Sequence, residues 1–101
     1  MDNAVYAEVS ATRFELRIEG CAAGFIEYYL FDSVAIVTHT EIHPGREGKG
    51  LGAELVRQAL DYLRGRQMRV VPVCGFFAHQ MRSYPGYADL LTPQCRRIFN
   101  L

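Results

Sequence analysis

A chain of 101 residues, half of them hydrophobic and only four of them proline, has room for one core and little tendency to disorder. Eleven basic residues balance eleven acidic ones, so no overall field draws it to nucleic acid or to an anionic membrane. Three cysteines (Cys21, Cys74 and Cys95) are an odd number without CxxC spacing, which implies free thiols and a reducing, cytoplasmic setting. No apolar run approaches the length of a membrane span, and MDNAVYAEVS at the start lacks the cationic-then-apolar pattern of a leader.

RFELRIEG, from Arg13, alternates Phe14, Leu16 and Ile18 with charged residues and predicts a half-buried strand ended by Gly20. AAGFIEYYLFD predicts a second strand, Asp32-Ser33 a turn, and VAIVTHTEIH a third strand rich in β-branched residues. Short connections make these three an antiparallel meander. Period two along the third strand sets Val37, His39 and Glu41 on one face, and Thr38, Thr40 and Ile42 on the other.

From Gly50 the period becomes helical. Leu51, Leu55, Val56, Ala59 and Leu63 form a stripe opposite Glu54, Arg57, Gln58, Asp61 and Arg64, with Gly65 as the expected stop. MRVVPVCGFF predicts a short fourth strand in which Pro72 makes no ladder bond. The crossover helix sets that strand parallel to the third. A short helix, a turn at Tyr84-Pro85-Gly86 and a second short helical segment complete the chain. Residues 1–101 therefore predict one domain of α/β (α+β) class, a mixed but mostly antiparallel sheet in β-β-β-α-β-α order.

Gly48, Gly50 and Gly52 stand where the long helix begins. Backbone N–H groups free of any Cβ, together with the positive end of the helix dipole, suit a phosphate that must approach closely. A nucleotide-binding P-loop fits poorly, since Leu51 and Gly52 follow Gly50 where Lys and Ser or Thr are required. A dinucleotide fingerprint also fits poorly. The spacing is GxGxG, and three antiparallel strands precede it.

EGKGLGAELV resembles the acetyl-CoA pyrophosphate loop of the GNAT-superfamily N-acetyltransferases, whose Arg/Gln-x-x-Gly-x-Gly/Ala motif reads here Glu47-Gly48-Lys49-Gly50-Leu51-Gly52. THTEIHPGREGKGLG, RVVPVCGFF and YPGYADLL, in that order from about Arg13 to Leu91, look like the small GNAT-like branch that includes the bacterial YjdJ-type proteins. The resemblance implies a minimal GNAT fold, acetyl-CoA (coenzyme A) as cosubstrate, and an amine acceptor carried by a small molecule, a peptide or a protein. It also implies that pantetheine lies between the third and fourth strands, with backbone near Glu41 and Ile42 holding it. Arg46, Gly48, Lys49, Gly50 and Gly52 would then surround the pyrophosphate. Two departures stand out. Glu47 occupies a position usually held by Arg or Gln, leaving Arg46 or Lys49 to supply positive charge, and the segment before the first strand is short for acceptor-binding helices.

Acyl transfer to an amine needs a base, a polarised thioester carbonyl and a proton for the leaving thiolate. His39 and Glu41, about 7 Å apart along a strand, are both candidates for the base. Cys74, just before an expected helix start, could receive the acetyl group, help expel coenzyme A, or pack; thiols at helix N-termini carry extra thiolate character. His79 could assist it, and Tyr84 is offset from the usual place of a general acid. His39, His43 and Cys74 predict no metal site, because His-x-x-x-His spacing suits a helix and this stretch is strand and turn. Cys21 and Cys95 are expected to pack as small buried hydrophobes, and Phe76, Phe77 and Met81 as core. The expected protein is a monomer or weak homodimer, with no nucleic-acid or membrane partner. The alternative function is a catalytically silent CoA-binding module or adaptor.

Overall fold

The computed structural model describes residues 5–9, 12–48 and 50–99, so Lys49 lies outside the described residues. Five strands form one sheet in chain order: β1 (Val5–Val9), β2 (Arg13–Ile18), β3 (Cys21–Phe31), β4 (Val34–Ile42) and β5 (Arg69–Pro72). The meander of β2, β3 and β4 is antiparallel as the short connections predict, and β5 runs parallel to β4. Glu19 and Gly20, both at positive φ (51° and 83°), make the two-residue turn between β2 and β3, a geometry whose twist matches the strands it joins.

Sequence reasoning missed β1, which pairs antiparallel with β2 from Val5↔Ile18 to Val9↔Phe14. VYAEV is five residues long with no Gly or Pro to mark its end. Too short to show a decisive period, it is a strand because β2 offers it an edge. The observed order is therefore β-β-β-β-α-β-α followed by further helical turns.

Helix α1 (Leu51–Gly65) buries Leu55, Val56, Ala59, Leu60 and Leu63 against the sheet. Gly65 is its last residue, as expected, and the left-handed residue beyond it is Gln67, at φ 57°. Helix α2 (Gly75–Arg82), a 3₁₀ helix (Pro85–Leu90) and α3 (Pro93–Phe99) follow, with Leu91 bridging to Val70 beside β5. Phe14, Leu16, Ile26, Val37 and Val70 from the sheet join Leu55, Leu60, Phe77, Met81 and Cys95 from the helices in one apolar cluster. That cluster occupies a single face of the sheet. Cys95 is buried as expected, whereas Cys21 at the start of β3 is exposed.

One irregularity changes which residues share a face. Glu27 pairs with His39 but Tyr28 with Val37, so Thr38 is an extra residue in β4. A bulge of this kind breaks strict alternation and bends the strand. Val37 enters the core, and beyond the bulge Ile42 packs against the same cluster. His39 and Glu41 stand on the opposite face beside Phe25, not with Val37 as unbroken period two implies.

The outer surface of α1 is laced by ion pairs. Arg57 holds Glu54 and Asp61, and Arg64 grips Asp89 at 2.8 Å. Hydrogen bonds from these arginines hold the carboxyls of Glu54 and Asp89 below their ordinary values of 4.5 and 3.8. A depressed carboxylate contributes stability that is complete above its unfolded value and is lost as pH falls through the folded one. Thermal melts should therefore hold steady down to about pH 5 and decline below roughly pH 4.5. Arg57→Ala should flatten the Glu54 part of that decline while costing less than about 1 kcal/mol at neutral pH, since the pair is half exposed. An acid slope unchanged by Arg57→Ala would remove Glu54 from the account.

Candidate active site

β4 and β5 pair through only four residues each, Val34–Val37 with Arg69–Pro72, and then part. Cys74 spans the start of the gap. Its N–H donates to the Val37 carbonyl at 2.9 Å, and its thiol lies 3.5 Å from Thr40 Oγ1. Cys74 is thus the residue that caps α2 rather than the last residue of the strand.

The loop from β4 to α1 closes on itself. Arg46 N–H donates to the His43 carbonyl at 3.0 Å, and Gly45 N–H to Glu47 Oε1 at 2.9 Å. The Glu47 carboxylate is thereby engaged by its own loop. Gly48 and Gly50 sit at φ 80° and 72°, a left-handed conformation that costs other residues about 1–2 kcal/mol. Gly50 is the N-cap of α1 and supplies no side chain, so no capping side chain serves the first amides of the helix. At Gly52 the Phe76 ring packs against the backbone: a Cβ there would lie 2.6 Å from Phe76 Cζ and would push the ring aside.

A cavity of about 220 Å³ results. Ile42, Leu51 and Phe76 form its apolar wall, and Arg46, Glu47 and the three glycines its polar rim. Ile42 ends β4 and Phe76 follows β5, so the cavity lies where the two strands have separated. Of the predicted core trio, Phe77 and Met81 are buried, but Phe76 is 41% exposed and lines this cavity instead. A larger cavity, about 300 Å³, lies at the far end of α1 beside Arg64, Arg69 and Asp89. Asp89 is committed there to Arg64, and neither thiol nor imidazole borders the space.

On the opposite face, His39 Nε2 is 3.2 Å from Glu41 Oε1, and the two side chains are 51% and 47% exposed. The ring of Phe25 lies under this pair. His39 and His43 flank it with centroids 5.8 and 6.1 Å away, and the Arg13 guanidinium covers it at 3.8 Å. Tyr84 directs its hydroxyl to the Ala53 carbonyl in the first turn of α1, at 3.4 Å, and His79 is exposed on α2. Among the described residues no group of three His, Cys, Asp or Glu could hold a metal ion.

The structure thus brings Ile42, Arg46, Gly48, Gly50 and Gly52 together around one cavity, and pairs His39 with Glu41 along β4 on the other face of the sheet. Thr40 and Phe76 are the residues that sequence reasoning missed. Thr40 carries no signal of its own, and it matters only because Cys74, beyond the end of β5, comes within 3.5 Å of it. Close packing at Gly24 keeps β3 and β4 in register here, since a Cβ would stand 2.6 Å from the Glu41 carbonyl oxygen.

Residues 13–90 match the family described as GCN5-related N-acetyl-transferase. The chain belongs to that family. Its acetyltransferase fold recurs in a GCN5-like protein of Staphylococcus aureus solved by NMR, which superposes with a TM-score of 0.68 at 21% identity over 91% of each chain. The ribosomal-protein-S18-alanine N-acetyltransferase of Escherichia coli gives 0.59 at 20% identity, matching 78% of this chain and 54% of its own. A GNAT-family acetyltransferase of Brucella melitensis, crystallised with acetyl-CoA, gives 0.51 at 21% identity over 66% and 49%. The match thus spans about half the length of those last two enzymes. No curated protein matches the sequence. Among the described residues of this GCN5-related chain, no helix is long and apolar enough to cross a membrane.

Proposed function

We propose that this chain binds acetyl-CoA and transfers its acetyl group to an amine, as a member of the small YjdJ-type branch. The observation that carries the reading is the cavity at the uncapped start of α1, set between the separated ends of β4 and β5. Its chemistry fits the cosubstrate. Amides at a helix N-terminus and Arg46 suit a pyrophosphate, and Ile42, Leu51 and Phe76 suit an aliphatic arm. Lys49 adds positive charge to the same loop sequence.

In this reading the acyl arm follows the gap between β4 and β5 past Thr40 and Cys74. His39 takes the proton of the acceptor ammonium, with Glu41 holding the imidazole in orientation. The free amine attacks the thioester carbonyl, the C–N bond forms as the C–S bond breaks, the proton that the nitrogen sheds passes to the departing sulfur through the Cys74 thiol or water, and His39 returns its own proton to solvent. Direct attack of this kind needs no acetyl group on the protein. The reading is of a cytoplasmic monomer or weak homodimer, with no nucleic-acid or membrane partner.

Acetyl-CoA should bind with an affinity typical of enzyme substrates, roughly 1 μM–1 mM. Gly50→Asp sets a carboxylate against the phosphates and should weaken that binding about 30-fold or more, the scale of one lost charge-assisted hydrogen bond. Calorimetry on both proteins decides the cofactor, and equal affinities would give the loop another role. Thiol release from acetyl-CoA across a panel of amines decides the reaction. Binding without any release would favour a silent CoA-binding module.

A further inference from the structure

β3 alternates without interruption from Gly24 to Phe31, so Phe25, Glu27, Tyr29 and Phe31 share the face opposite the helices. This is the face that carries His39 and Glu41, because Glu27 pairs with His39 and Phe25 with Glu41. Away from that pair the face turns apolar. Tyr29 pairs with Ile36 and Phe31 with Val34, yet Tyr29 is 64% and Phe31 69% exposed. Large aromatic side chains standing in solvent in a row mark a contact surface more often than they mark chance.

We propose that this face is a docking strip for a polypeptide acceptor that carries an apolar side chain a few residues from the amine to be acetylated. The proposal rests on the acyl-transfer reading above and names its substrate class. The strip is continuous with the histidine–carboxylate pair on the same two strands, and the spacing fixes the register. Tyr29 and Phe31 lie two and four residues beyond Glu27, about 7 and 13 Å along the strand. An extended peptide advances about 3.3–3.6 Å per residue. With its amine at His39, its residues roughly two to four positions away therefore lie over Tyr29 and Phe31.

A small amine suits this face poorly. Small ligands are held by burial of most of their surface in a concave site, whereas here the base pair is half exposed on an open sheet. A polypeptide brings its own bulk and spreads its contacts along the strand. A second copy of the chain is the competing occupant, and on this continuous face it would cover His39 and Glu41 as well.

The test compares matched peptides that differ only at positions two to four from the amine, Leu or Phe against Ser, with acetyl-CoA and the full chain. The apolar peptides should show kcat/KM higher by about tenfold, the effect of covering part of one large side chain. Tyr29→Ser combined with Phe31→Ser should reduce that ratio to about one, and Phe31→Ser alone serves if the double variant does not fold. Equal rates for both peptide sets in the wild type, or a preference that survives the substitutions, would overturn the inference. So would acetylation of small amines but of no peptide. Sedimentation equilibrium supplies the remaining outcome: a dimer abolished by the double substitution would assign the strip to a second copy. Calorimetry with acetyl-CoA runs alongside, so loss of the parent reading shows as absent cofactor binding, and loss of this one as binding and turnover without peptide preference.

Discussion

His39→Gln is expected to lower kcat by roughly 10²–10⁴, the usual contribution of a positioned general base, while acetyl-CoA binds as in the wild type. Glutamine keeps much of the size and can still hydrogen-bond Glu41, but it cannot accept a proton from the acceptor. The imidazole is well placed for the task. Nε2 lies 3.2 Å from Glu41 Oε1, and Phe25 supports the ring from below. The cavity residues are elsewhere, on the helix side of the sheet, which is why binding and turnover should separate. Steady-state rates with calorimetry on the same preparation make the measurement. If kcat stays within about threefold of the wild type, less than any positioned base supplies, the proton goes elsewhere and Glu41 becomes the candidate.

Phe77→Ala should be the most damaging single change to the fold. Its ring is fully buried in the cluster shared by α1, α2 and the sheet. Removing such a ring typically costs 3–5 kcal/mol, from about 5–15 kcal/mol in all. A fall in Tm of more than about 10 °C is expected for a domain of this size. Its neighbour Phe76, partly exposed at the cavity, should cost far less stability when replaced in the same way. A Phe77→Ala protein melting within about 3 °C of the wild type would show that α2 contributes little to the fold.

The contrast between these neighbours shows what the sequence could reveal. FFAHQM reads as one apolar patch on a short helix, and periodicity alone cannot say that Phe77 enters the core while Phe76 meets Gly52 at the cavity. The long periodic elements were legible because each has one wet side: the alternation in β2, the stripe of α1, and the crossover that makes β5 parallel to β4. The glycine loop was legible because its residues are consecutive in the chain and their backbone chemistry is local. What stayed hidden depends on partners distant in sequence. β1 needs the edge of β2, Thr40 needs Cys74, and the facing of His39 needs a register shift against β3.

That shift has a consequence for chain length. With Thr38 as an extra residue, the strand can change neighbours without changing what its two halves show to water. A chain lacking only Thr38 would still place His39 outward, because the residue after Val37 would take the outward position. It would, however, lose the bend that accompanies the bulge where β4 leaves β5. A chain lacking one residue between His39 and Ile42 would instead set the two ends of that segment out of step. Single-residue insertions and deletions are thus unequal along these nine residues: at Thr38 they act on shape, and beyond it on which chemistry faces which side.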